Sequence, residues 1–144
     1  MYRYINKTWR NLWSSDEYAR YLTQLRVKWR REPSLVRVDK PSRLDRARAL
    51  GYRAKQGYIV VRVRVSKGGL RKIPPKLGRR QKRMGITKIK RQLSLQAIAE
   101  QRVKRKFRNM RVLGSYYVGE DGRYKWFEVI LRDENHPSVK SVRS

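Results

Sequence analysis

The chain has 144 residues, with 39 Lys plus Arg against 11 Asp plus Glu, a formal net charge of +28 and a pI of about 11.4. One domain with a moderate core is expected at this length, and so large a like-charge excess works against the compact state unless a polyanion offsets it. A bilayer-spanning segment is excluded, because the longest apolar run, Tyr58 to Val61, is far short of the roughly 20 residues required.

Tyr2, Ile5, Trp9, Leu12 and Trp13 recur at helical spacing and predict a first amphipathic helix. Ser14, with Glu17 three residues on, has the form of a capping box and predicts the start of a second. Its buried face is expected to hold Tyr18, Tyr21, Leu22, Leu25 and Trp29, and Pro33 should stop it. Aromatics at this spacing pack into cores more often than they stack on bases, and core is the favoured reading. Trp9, Trp13, Trp29 and Trp126 are nevertheless each capable of either role. Leu35 to Val38 has the form of a short strand. Ser42 is placed to cap a brief helix over Leu44, Ala47 and Leu50, closed by Gly51 in the left-handed conformation. Arg43, Arg46 and Arg48 project from that helix.

From about Gly57 to Val65 a strand is expected, with Ile59, Val61, Val63 and Val65 on one face. Arg62 and Arg64 occupy the other face, and no carboxylate is near them in the chain. Ser66 to Gln92, "SKGGLRKIPPKLGRRQKRMGITKIKRQ", has 11 basic residues, no acidic one, four glycines and Pro74-Pro75. It shows no periodicity and reads as a basic extension that is disordered when free and ordered against a partner. Ser94 is placed to cap a third long helix, with Leu95, Ile98, Ala99, Val103 and Phe107 on one side. Lys104, Arg105, Lys106 and Arg108 crowd its C-terminal end, where the helix dipole favours cations. Strands over about Arg111 to Val118 and Tyr124 to Leu131 flank Gly119-Glu120-Asp121-Gly122, a strong hairpin signal in which glycine accepts the positive φ of such turns. The result is an α+β fold, a small mostly antiparallel sheet packed with amphipathic helices, in one domain over 1–144 with a basic extension at about 66–92. The tail after Asp133 is expected to fray.

Catalytic parts are hard to find. His136 is the one histidine, no G-x-S-x-G elbow accompanies it, and Asp133, Glu134 and His136 on a terminal tail make a poor metal cage. Gly68-Gly69 belongs to no phosphate-loop motif. Arg3, Lys7, Arg10, Asp16 and Glu17 interrupt the first twenty residues, against a secretory signal. With no cysteine, disulfides and thiolate zinc sites are excluded, and an intracellular setting is expected. No catalytic residue, metal, cofactor, small-molecule substrate or membrane partner is expected.

Nucleic-acid binding finds its parts at once. From Arg46 through Ala99 there are 17 Lys or Arg and no Asp or Glu. Arginine, which predominates up to Arg64, binds phosphate bidentately and stacks on bases. No helix-turn-helix, zinc finger or dimerisation zipper is traceable, so folded RNA, with its irregular phosphate-lined crevices, is preferred over DNA. The expected RNA contacts are Arg43, Arg46, Arg48, Arg53, Lys55, Arg62, Arg64, Lys67, Arg71, Lys72, Lys76, Arg79, Arg80, Lys82, Arg83, Lys88, Lys90 and Arg91. An architectural DNA-compacting protein is the alternative, and an RNA-modifying enzyme or nuclease working through His136 a distant third.

"DRARALGYRAKQGYIVVRVRVSKGG" (Asp45 to Gly69), "LGSYYVGEDGRYKWFEVIL" (Leu113 to Leu131), "SLQAIAEQRVKRKF" and "WRREPSLVRVDKPSRLDRA" together resemble large-subunit ribosomal protein fifteen of the archaeal and eukaryotic type. The likeness runs from about Tyr2 to about Lys140, and "RREPS" with "SYYVGEDG" is closer to archaeal members. It implies a structural component of the large subunit in the cytoplasm, bound to its rRNA beside neighbouring ribosomal proteins, which shapes that RNA during assembly. It also implies an antiparallel sheet, extensions threaded between RNA helices, RNA contacts at Arg46, Arg48, Arg53, Lys55, Arg62 and Arg64, and turns at Gly51 and Gly57. Two features depart from the pattern: members commonly continue beyond the equivalent of Ser144 into another basic tail, and Ser66 stands where a basic residue is common.

Overall fold

The alternation of Val61, Val63 and Val65 with Val60, Arg62 and Arg64 requires a strand with two different faces, and the computed structural model shows what covers each. It describes residues 2–69, 72–76 and 78–140. In chain order the elements are α1 (Tyr2–Trp13), α2 (Asp16–Arg31), β1 (Leu35–Val38), α3 (Leu44–Ala49), β2 (Tyr58–Ser66), α4 (Leu95–Lys106), β3 (Arg111–Glu120), β4 (Tyr124–Arg132) and α5 (Pro137–Lys140). The strands form one four-stranded antiparallel sheet in the order β1-β2-β4-β3. The expected α+β class is what the chain adopts.

Register puts Val61 opposite Val129 and Val63 opposite Phe127. These side chains, with Val65 and Leu131, meet Ala99 and Val103 of α4, and Leu95, Ile98 and Phe107 complete the apolar side expected of that helix. On the other face Val60, Trp126, Ile130, Tyr116 and Val118 meet Trp29 of α2, Ala47 of α3 and Tyr52. The Trp29 and Trp126 rings lie 5.7 Å apart. Completely buried side chains on both faces give the sheet the double cover that its apolar runs demand.

Several local expectations are corrected. The N-cap of α2 is Ser15, not Ser14: Ser15 Oγ accepts from Tyr18 N at 3.2 Å, while the Ser14 hydroxyl donates back to Asn11 O. Adjacent serines offer the same chemistry, and only the exit of α1 chooses between them. Leu22 and Trp29 are buried as expected, but Tyr21 is 54% exposed, because only the C-terminal half of α2 reaches the sheet. Ser42 does not cap α3, whose N-cap is Arg43 without a side-chain bond. Ser42 instead donates its N–H and hydroxyl to Glu128.

Gly51 closes α3 at φ 91°, as the sequence required. The hairpin, in contrast, does not use a positive φ at Gly122. Asp121 builds that turn with its carboxylate, whose Oδ1 accepts from Arg123 N at 2.8 Å and Tyr124 N at 2.6 Å. From Asp133 to Lys140 the chain is folded back rather than frayed, and the rest of that tail, 141–144, lies outside the described residues. Asp133 N donates to Gly57 O at 2.8 Å, and Val139 of α5 is buried against Gly57. A Cβ at Gly57 would lie 2.6 Å from Val139 Cγ2, so only glycine, here at φ 86°, admits this contact.

Between β2 and α4 the described residues contain two short 3₁₀ turns, Gln81–Arg83 and Ile86–Lys88. The backbone bonds of this loop past Lys67 close within three residues, as in Arg83 N to Arg80 O at 2.8 Å and Lys88 N to Gly85 O at 3.2 Å.

Candidate nucleic-acid interface

The fold sorts the sequence-predicted cations into two groups. Arg43, Lys55, Arg62, Arg64 and Lys67 are half-buried, and each has a partner within the chain. Because Val61 and Val63 face α4, Arg62 must face the other way, where the C-terminal end of α2 lies. There Arg62 Nη2 meets Glu32 Oε2 at 2.6 Å, its guanidinium stands 4.6 Å from the Trp29 ring, and its side chain is 12% exposed. The polar face of β2 therefore does find a carboxylate. Glu32 lies thirty residues back along the chain, too remote for a local reading to supply.

Arg64 lies 4.8 Å over the Tyr124 ring and donates to the Arg30 carbonyl. Lys67 reaches Glu120 at 3.1 Å, and Lys125 takes the other oxygen at 3.0 Å. Those two bonds, Lys125 first, hold the Glu120 carboxyl below its ordinary pKa. Arg43 pairs with Asp45 at 3.2 Å and lies 5.7 Å over the Trp9 ring. Lys55 donates to the Ser138 carbonyl, pinning the folded-back tail.

The second group is exposed. Arg46 and Arg48 leave α3 on either side of the wholly buried Ala47, and Arg53 follows the Gly51 turn. Two clefts flank this helix. Arg43 and Arg46 stand with Leu50 and Tyr116 along one, against β3; Arg48 and Arg53 stand with Tyr2 and Asp45 along the other, against α1. The platform is pinned from below by Leu50 on Gly114, where a Cβ would lie 2.9 Å from Leu50 Cδ2. It is pinned at its start by Glu128, wholly buried in β4, which accepts from Ser42 and from the Tyr116 hydroxyl. Burial, then the adjacent Glu128 carboxylate, pushes the Tyr116 hydroxyl pKa up. Sequence reasoning passed over Glu128 and gave Ser42 a different role, as a helix cap. The signal was a single carboxylate inside the apolar run "WFEVIL".

In the loop after β2, Lys72, Lys76, Arg79, Arg80, Lys82, Arg83, Lys88, Lys90 and Arg91 are all exposed. None of them is in an ion pair among the described residues. Arg71 lies outside the described residues. A Cβ at Gly69 would stand 3.4 Å from Arg91 Nη2, so the loop's two ends come together.

Nothing comparable surrounds His136, whose Nδ1 accepts from Ser138 N at 3.3 Å at the start of α5. Among the described residues no group of three or more His, Asp or Glu is placed to hold a metal ion, and no helix is long and apolar enough to cross a membrane.

The family model described as Ribosomal L15 matches residues 1–144, and the chain belongs to that family. Its members are structural proteins of the large ribosomal subunit and not enzymes, which places the chain in the company of rRNA and other ribosomal proteins.

Proposed function

We propose that this ribosomal protein binds and stabilises folded rRNA through its unpaired cations. Chief among these are Arg46, Arg48 and Arg53 on the α3 platform, and Lys72, Lys76, Arg79, Arg80, Lys82, Arg83, Lys88, Lys90 and Arg91 on the loop between β2 and α4; Arg71 belongs to the same run of sequence. Arg43, Lys55, Arg62, Arg64 and Lys67 join them through the edges of the guanidinium and ammonium groups left exposed. One observation carries the reading: exposed cations outside every ion pair among the described residues crowd a stretch, Arg46 to Ala99, in which the chain supplies no carboxylate. Exposed, unmatched cations repel one another in the free protein, and a phosphate backbone relieves that repulsion while releasing counterions. Glycines let the loop backbone approach phosphates closely, and Pro74-Pro75 limits the entropy lost on ordering. The expected setting is the cytoplasmic ribosome.

Salt titration of binding to large-subunit rRNA tests this. If about 6 phosphates are neutralised, log K should fall against log salt with a slope of magnitude about 4 to 5. Excising the loop should lower both affinity and slope. A nearly flat salt dependence overturns the mechanism, an unchanged slope after excision removes the loop from it, and equal affinity for duplex DNA of the same length favours an architectural DNA binder.

A further inference from the structure

The contacts proposed so far lie between Arg43 and Arg91, yet α1 carries a cationic surface outside that span. Arg3, Lys7 and Arg10 are exposed and, with Asn6, line one groove along the helix. Their spacing of four and then three residues sets them in a row about 10 Å long on one helix face. No Asp or Glu occurs in α1 to offset them. The opposite side of the helix is fixed to the body: Trp9 packs edge-on against Tyr18 at 6.0 Å and beneath the Arg43 guanidinium. The row is therefore presented in a set direction. At the N-terminal end it meets the cleft between α1 and α3, where Tyr2 stands with Arg48 and Arg53. Tyr2 is 46% exposed there, and Asp45, on the same cleft, is already paired with Arg43.

We infer that α1 and this cleft form one track for an unpaired strand of RNA. Phosphates lie on Arg10, Lys7 and Arg3, a base stacks on Tyr2, and the following phosphates reach Arg48 and Arg53. An exposed ring between two sets of cations is the arrangement by which proteins follow a single strand without reading its sequence. A duplex keeps its bases stacked internally and cannot use the ring. The track rests on the RNA-binding reading above and adds a contact region independent of the loop after β2.

The probe is a short single-stranded RNA of mixed sequence, with its duplex as comparison, titrated with the full chain over a range of salt. Replacing Arg3, Lys7 and Arg10 together by Gln should reduce the slope of log K against log salt by about 2, at about 0.7 per phosphate on a single strand. Tyr2→Ala should weaken single-strand binding about 5- to 150-fold, with the slope unchanged, as expected for one lost stacking contact. Tyr2→Phe should bind like the parent. The substituted side chains face solvent, and an unchanged thermal midpoint verifies that each variant is folded. A triple variant with the parental slope overturns the track, and a Tyr2→Ala variant with parental affinity overturns its stacking step. A flat salt dependence in the unsubstituted chain instead overturns RNA binding as a whole, so the two failures are distinct.

Discussion

Arg62 on β2 and Arg83 in the loop that follows carry the same guanidinium in opposite circumstances. Arg62 is held between Glu32 and the Trp29 ring. Arg83 is exposed in a 3₁₀ turn with no carboxylate beside it. The same division extends to their regions. Around the sheet, cations are matched by acids that are often brought from distant parts of the chain, as Lys67 is by Glu120 and Arg30 is by Asp121. In the loop past Lys67 none of them is in an ion pair among the described residues. Positive charge near the sheet thus contributes to the fold, whereas positive charge in the loop contributes no ion pair to it among the described residues.

The comparison can be broken or sharpened by substitution. The largest effect is expected where charge plays no part: Ile130→Ala, in a wholly buried site, should cost about 2–5 kcal/mol in denaturant unfolding. It should leave the salt slope of RNA binding at the parental value. Gly57→Ala forces a side chain into a positive-φ position against Val139 and should cost about 1–3 kcal/mol. Amide exchange should quicken over α5, and an unchanged exchange rate there would mean that the tail is not held through Gly57. Glu32→Ala leaves a half-buried guanidinium without its carboxylate and should cost about 1–2 kcal/mol, discounted for its residual exposure to water. If it costs nothing, Arg62 belongs with the loop cations and the division fails.

Acid provides a smaller effect. Lys125 and Lys67 depress the pKa of Glu120, and Arg132 and Arg111 depress that of Glu134. A carboxylate whose pKa is lowered by folding adds stability above its unfolded value and loses it as pH falls through the folded value. The thermal midpoint should therefore drop below about pH 4.3, more steeply at low salt than at high. Both groups are solvent-exposed, so replacing both by Gln should only flatten that limb modestly, and identical limbs would remove these pairs from the account. The smallest effect belongs to the loop. Lys82→Gln with Arg83→Gln should change folding stability by less than about 0.5 kcal/mol, and a larger change would show that the loop already takes part in the fold.

Local pattern was enough to read β2, α4, the β3–β4 hairpin and the Gly51 turn, because each is specified by a period or a turn residue within its own segment. Misreadings arose where a distant residue decides. Glu32 reaches Arg62 only because α2 ends over β2. Ser42 leaves its helix for Glu128, and the tail after Asp133 docks because Gly57 has no side chain. The cations after Ser66 were legible as a group by the absence of acids. Their division from Arg62, Arg64 and Lys67 was not, since it depends on which strand face α2 covers. Arg3, Lys7 and Arg10 were read only as breaks in a secretory signal and not as contacts, because a helix with an apolar side attracts attention to its core and away from its polar face.

The sheet order has one more consequence. β2 is hydrogen-bonded to β4, and the basic segment is spanned between β2 and the helix that leads back to that same sheet. It is tethered at both ends, and doubled on itself it reaches outward on the order of 45 Å even when fully extended. A tethered bight of this kind cannot be threaded end-first through a closed ring of RNA. A ring of RNA that encircles it must admit both limbs side by side, and so must be wider than one that takes a free chain end.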